Sequence, residues 1–282
     1  MKNAGNIDFE KQTFTDRIMF AKVMEDKERC RRVLECLLGC SVGVLNEVVS
    51  ERQLLQTEDG KMIRLDIYTY GEESVYDIEM QNKNNKSLEF LQLPKRSRFY
   101  QSLIDEDFLR NGESYKNLPE NNVIFICTFD PFGRGLPVYE FENRTNEIPP
   151  KPLNDGCRIY FFNCAYEGTD IPKQLKNFYD FVRTESVNDA LTEDLKKAVE
   201  DKRMSYIYRS DYLRQIEDRI DAKDEGREEE REKTEEQRKR AEAAEKNAEE
   251  ANKRAEEANK RAEELEAQVK ELMKELKHLK KN

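Results

Sequence analysis

Histidine is almost missing from this chain of 282 residues, and His278, in a Lys-rich C-terminal stretch, is the only one. That scarcity excludes Ser-His-Asp and Cys-His catalysis, the HExxH zinc site and nearly all His-ligated metals. Cys30, Cys36, Cys40, Cys127, Cys157 and Cys164 show no CxxC spacing. They read as reduced, mostly buried thiols. No run of about 18 apolar residues occurs, so a helical membrane span is excluded. The opening MKNAGNIDFEKQTF lacks the apolar stretch of a signal peptide, and a cytoplasmic location is expected. Chemistry is left to carboxylates, Lys, Tyr, Gln or thiols, and a hard cation with oxygen ligands is the natural cofactor.

What is abundant is charge. The chain holds 49 Lys or Arg and 59 Asp or Glu, a net charge of -10, and 38% of its residues are charged. That charge is unevenly spread. Residues 226–282 contain 16 basic and 17 acidic residues, no proline and no aromatic residue. They carry the repeat AEEANKR-AEEANKR-AEELEAQ, with a period of seven. With Ala248 at heptad position a, that position continues through Ala255, Ala262, Val269 and Leu276. Position d then reads Ala251, Ala258, Leu265, Leu272 and Leu279. A seven-residue apolar repeat this long predicts a left-handed coiled coil, hence a homo-oligomer. The alternative is a single solvated helix held by i,i+4 ion pairs.

Residues 1–225 hold all eight prolines, all aromatic residues and all six cysteines, with 33 basic and 42 acidic residues. They are the globular body. Thr15 or Thr13 is positioned to cap a helix beginning near Asp16 and running to about Gly39. Strand-like segments follow at Leu45–Thr57, ending at EDGK, and at Met62–Tyr70 and Val75–Gln81, the last two joined by a short turn. Pro94 predicts the first residue of an amphipathic helix running to about Arg110. Val123–Phe129 has no polar face and reads as a central strand covered on both sides. Leu136–Asn143 and Arg158–Asn163 are further strands, and helices fill 173–219. This order predicts an α/β domain with a mixed sheet.

Asp66 and Glu79 lie on the polar faces of adjacent strands joined by the short turn, and Gln81 points the same way as Glu79. Antiparallel pairing brings the two carboxylates within about 5–8 Å. Like charges that close repel unless a cation or proton intervenes. Two carboxylates and a polar neighbour suit Mg2+ and phosphodiester hydrolysis. A solvent-facing hairpin edge produces the same alternation.

The strings RLDIYTY and VYDIEMQ resemble the strand pair of PD-(D/E)XK nucleases, in which one strand carries a metal-binding Asp and the next an (E/D)xK element. The chain is similar, more closely, to the PD-(D/E)XK nuclease family transposases, also called recombination-promoting nucleases. The likeness rests on TDRIMFAKVM, GKMIRLDIYTY, VYDIEMQ, LPKRSRFYQSLID, VIFICTFDPFGRGLPVYEFENR and YDFVRTESVNDALTEDLKKAVEDKR, in order from about residue 13 to 225. It implies a restriction-endonuclease-like core over 1–170 with a mixed central sheet flanked by helices. A helical part over 171–225 and the heptad segment over 226–282 follow. It also implies a DNA endonuclease using Mg2+ (or Mn2+) and leaving 5′-phosphates.

By position, Asp66 and Glu79 take the places of the two motif acids. Gln81 stands where most of the superfamily has its catalytic Lys; Gln can orient a water but supplies no charge. Asp16 falls where relatives often carry an extra acidic ligand, although a helix N-terminal acid there also serves the helix itself. Lys95, Arg96, Arg98 and Tyr100 lie on the helix that flanks the site in that fold, placed to touch a phosphate or a base. The competing reading is a non-enzymatic scaffold, built on a degenerate nuclease fold that assembles through its coiled coil. The acidic body predicts weak, salt-sensitive DNA contact through a local basic patch, since strong non-specific binding needs many Lys and Arg on phosphates.

Overall fold

The computed structural model describes residues 8–54, 63–82, 89–109 and 114–279. Chain contacts divide it into two units, 1–213 and 214–282. In the first, six strands form one sheet: β1 (Glu47–Leu54), β2 (Ile63–Tyr70), β3 (Ser74–Gln81), β4 (Glu120–Cys127), β5 (Val138–Glu142) and β6 (Cys157–Asn163). Their order is β1-β2-β3-β4-β6-β5. β3 runs parallel to β4, and β4 to β6, while the other neighbours are antiparallel. The sheet is therefore mixed, and the apolar VIFIC run occupies an inner strand whose residues after Glu120 are all buried. The EDGK turn lies outside the described residues.

The described residues form six α-helices: α1 (Arg17–Met24), α2 (Lys27–Leu38), α3 (Glu89–Phe108), α4 (Lys173–Thr184), α5 (Ala190–Met204) and α6 (Tyr206–Leu279). The first helical stretch breaks in two because the Asp26 side chain accepts the Arg29 N–H and starts a new helix. Its cap is also not the expected threonine. Asp16 accepts the Ile18 and Met19 N–H groups, so α1 begins at Arg17. α3 begins five residues before the expected Pro94 start and takes that proline inside. A proline so near the N-terminus forfeits one intrahelical hydrogen bond.

The core beneath α3 includes Tyr68, Val75, Leu93, Leu103, Ile104, Val123, Phe125 and Phe161. Ile67, Ile78 and Ile124 alternate to the opposite face and are equally buried. Phe14 packs edge-on against Phe20 and Phe178 and tilts against Phe181. Its N–H donates to Glu185 Oε1 (3.2 Å). Glu185 ends α4 in the left-handed region (φ 55°) and also receives Lys196 Nζ at 2.6 Å and Arg203 NH2 at 3.0 Å. Arg203 Nε donates to the Gln12 carbonyl (2.7 Å) and Tyr208 Oη to Gln12 Oε1 (2.8 Å). Tyr212 Oη donates to Asp16 Oδ2 (3.3 Å). Late helices thus clasp the segment that leads into α1.

The second unit is the remainder of α6, a single helix. Its charges pair along the helix, as in Glu235–Lys239 (3.1 Å) and Glu236–Arg240 (2.7 Å). Leu265 and Val269 of the heptad seam stand 60% and 50% exposed. No helix among the described residues is long and apolar enough to cross a membrane. All six cysteines are free thiols, with Cys40 exposed and Cys157 partly so.

Candidate active site

β2 and β3 pair regularly from Ile67↔Ile78 to Tyr70↔Val75. One step beyond that pairing stand Asp66 and Glu79, where side chains bond across the two strands. The Asp66 N–H donates to Glu79 Oε1 (2.9 Å), and the Met80 N–H donates to Asp66 Oδ2 (3.1 Å). Each acid thus closes onto the opposite strand with one oxygen and leaves the other to the site's side chains. Asp66 is 3% exposed and Glu79 2%, so this is not a solvent-facing hairpin edge.

The remaining oxygens meet arginines. Arg96 NH2 lies 3.2 Å from Glu79 Oε2 and donates to Tyr100 Oη (2.8 Å). Arg17 NH1 lies 2.9 Å from Glu51 Oε1 and 3.7 Å from Asp66 Oδ1. Glu51 interrupts the β1 ladder opposite Asp66, with φ at 53°. A non-glycine residue in that region costs of order 1–3 kcal/mol and persists only where its surroundings hold it. Gln81 Nε2 lies 3.5 Å from Glu79 Oε2.

Burial raises the pKa of both Asp66 and Glu79. Arg17 and Arg96 oppose the rise, while each acid feels a nearby carboxylate, Glu51 for Asp66 and Asp66 for Glu79. Asp77, two residues before Glu79 on the same face of β3, is wholly buried, and neither of its carboxyl oxygens has a hydrogen-bond partner. Burial first, then Glu79 and Asp66, hold its pKa well above the usual carboxylate range. The pocket thus favours protons, or another cation, on its acids.

The structure brings Asp66, Glu79, Gln81, Arg96 and Tyr100 together. It leaves Lys95 and Arg98 exposed on α3. Asp16 spends one oxygen on the α1 cap and the other on Tyr212. Sequence reasoning misses Arg17, Glu51 and Asp77. Arg17 follows Asp16 directly, the one signal it offers. Glu51 gives none, because its approach depends on a backbone conformation that its residue type does not announce. Asp77 reads as one more polar member of an alternating strand.

Asp66 Oδ1 and Glu79 Oε2 are hard oxygen donors whose burial rewards a positive charge, so the residues present fit a divalent cation. Among the described residues no cluster of three or more His, Cys, Asp or Glu side chains forms a cation cage. Mg2+ needs no such cage, because one or two carboxylates with waters and substrate phosphates commonly hold it.

Residues 12–146 match the family model described as PD-(D/E)XK nuclease family transposase. This is the family that the sequence resembles. The match ends at 146, just under half of the chain, so the later block YDFVRTESVNDALTEDLKKAVEDKR lies outside it. No curated protein and no solved structure matches the chain. The mixed six-stranded sheet with flanking helices is consistent with a PD-(D/E)XK nuclease domain.

Proposed function

We propose that the chain is a metal-dependent DNA endonuclease of the recombination-associated kind, with Asp66 and Glu79 holding Mg2+ (or Mn2+). One observation carries the reading: a buried cross-strand acid pair, each carboxylate locked by the other strand's N–H, inside the segment that matches a nuclease family. A divalent cation held there supplies Lewis acidity toward a phosphodiester oxygen and neutralises developing charge. Gln81 orients the attacking water through its amide. Arg96, steadied by Tyr100, faces the charge that develops on the phosphate, and Lys95 and Arg98 contact the flanking DNA backbone.

Plasmid nicking with Mg2+ or Mn2+ tests the reading. Wild type should cut, and Asp66→Ala should lose activity by at least about a hundredfold, the scale on which a lost electrostatic stabiliser of the transition state is felt. Equal cleavage by the two proteins refutes it. Mn2+ titration calorimetry separates it from the scaffold reading, which requires no cation binding at millimolar concentration.

The heptad seam is the proposed oligomer contact. In such a contact its Leu and Val positions would bury more than its Ala positions, at about 0.8 kcal/mol per additional buried CH2. Leu272→Asp with Leu276→Asp should lower the solution mass to that of one chain. An unchanged oligomer mass counts against the seam.

A further inference from the structure

We propose that Arg17 grips the substrate phosphodiester, and that Glu51 and Asp66 hold it in reserve until a divalent cation takes the carboxylates. The inference rests on the endonuclease reading above.

Gln81 brings no positive charge of its own, so the side-chain cations at the site are arginines. Arg96 is committed on two nitrogens, with Nε and NH2 both on Tyr100 Oη and NH2 also on Glu79. Arg17 is less committed. Its NH1 is shared between Glu51 and Asp66, the second at a loose 3.7 Å, and its buried Nε has no hydrogen-bond partner. The side chain is 27% exposed, so it has an approach from solvent. The Asp16 cap fixes where α1 begins and makes Arg17 its first residue. The conformation of Glu51 then sets a carboxylate against Arg17 across from Asp66.

The ion pairs give the sequence of events. Arg17, Arg64 and Arg96 lie against Glu51, Asp66 and Glu79. A divalent cation on Asp66 and Glu79 would take the carboxylate oxygens that Arg17 and Arg96 now face, and a phosphodiester offers Arg17 an anion in exchange. Arg17 then has a donor to give, because cation binding removes one of its two partners.

The test measures binding of a short duplex across a salt series, with Ca2+ present to allow binding without turnover, and again without divalent cation. Each phosphate contact contributes about 0.9 to the log–log salt slope on B-form DNA. Arg17→Ala should lower the slope by about 0.9 with Ca2+ and leave it unchanged without, while Mn2+ titration shows binding no weaker than wild type. Arg17→Lys should keep the slope. Glu51→Gln should tighten duplex binding severalfold in the absence of cation, and this arm stands if Arg17→Ala fails to fold. An unchanged slope in Arg17→Ala, or unchanged affinity in Glu51→Gln, overturns the inference alone if wild type still nicks DNA and binds Mn2+. A wild type that does neither overturns this inference together with the endonuclease reading.

Discussion

Replacing Asp77 by valine should make the protein more stable. Both carboxyl oxygens of Asp77 are buried without a hydrogen bond, between Tyr68 of β2 and Val123 of β4. Folding strips their hydration and returns no partner, a loss of about 1–3 kcal/mol for a buried unsatisfied group. Valine removes that loss, suits an inner strand and relieves Glu79 of a neighbour that repels it. A packing misfit offsets up to about 1 kcal/mol, leaving a net gain of about 1–2 kcal/mol. For a folded unit of about 200 residues this raises Tm by roughly 2–8 °C. The assay is paired thermal melting of wild type and Asp77→Val in the same buffer, free of divalent cations. Asp77→Asn serves as a control that keeps the shape and the polarity, and should change little. If Asp77→Val melts below wild type, the carboxyl has a stabilising partner, and the unsatisfied-acid argument fails.

Three further outcomes follow from other parts of the fold. Burial alone raises the Glu185 carboxyl, but Lys196 and Arg203 outweigh it and its folded pKa is lowered. The stabilisation is therefore complete above the unfolded value near 4.5 and is lost as pH falls through the folded one. Glu185→Gln should cost about 2 kcal/mol near pH 7, and denaturant titrations should show the gap to wild type closing below about pH 4. Asp130 accepts the N–H groups of Phe132, Gly133 and Gly135 and the Tyr139 hydroxyl. Asp130→Ala should lose about 1–3 kcal/mol and speed amide exchange across residues 130–136. Saturating Mn2+, at about a hundred times its Kd, should add about 2.7 kcal/mol to unfolding of the wild type and nothing to Asp66→Ala, as melting will report.

The parts of the site legible in the sequence are those set by local periodicity. Strict alternation through IRLDIYTY and VYDIEMQ, with a short turn between, is enough to bring Asp66 and Glu79 together. The uninterrupted apolar run of β4 is likewise enough to mark an inner strand. Legibility fails where a side chain has two competing uses. Asp16 reads equally as a metal ligand or as a helix N-terminal acid, and in the structure its oxygens serve the α1 cap and Tyr212. Pro94 reads as a helix start because proline is tolerated there, yet the helix begins earlier at Glu89. Arg17 and Glu51 meet across two elements far apart in sequence, and neither residue's own surroundings announce the meeting.

The clasp on the N-terminal segment sets an order on how the protein is made. Gln12 and Asp16 receive their tyrosine partners from 196 residues further along the chain, and Phe14 reaches Glu185 across 171. At a synthesis rate of about 5–20 residues per second, these partners emerge roughly 10–40 s after the segment they hold. Contacts this distant also form slowly once the chain is free, because loop closure precedes the reward. The acid pair of β2 and β3 lies on a hairpin and is present early. The helix that presents Arg17 receives its last supports only when residue 212 has left the ribosome. A half-made chain thus carries the acids without the full anchorage of the arginine beside them, and the segment matching the nuclease family, 12–146, ends before the tyrosines that bond Gln12 and Asp16.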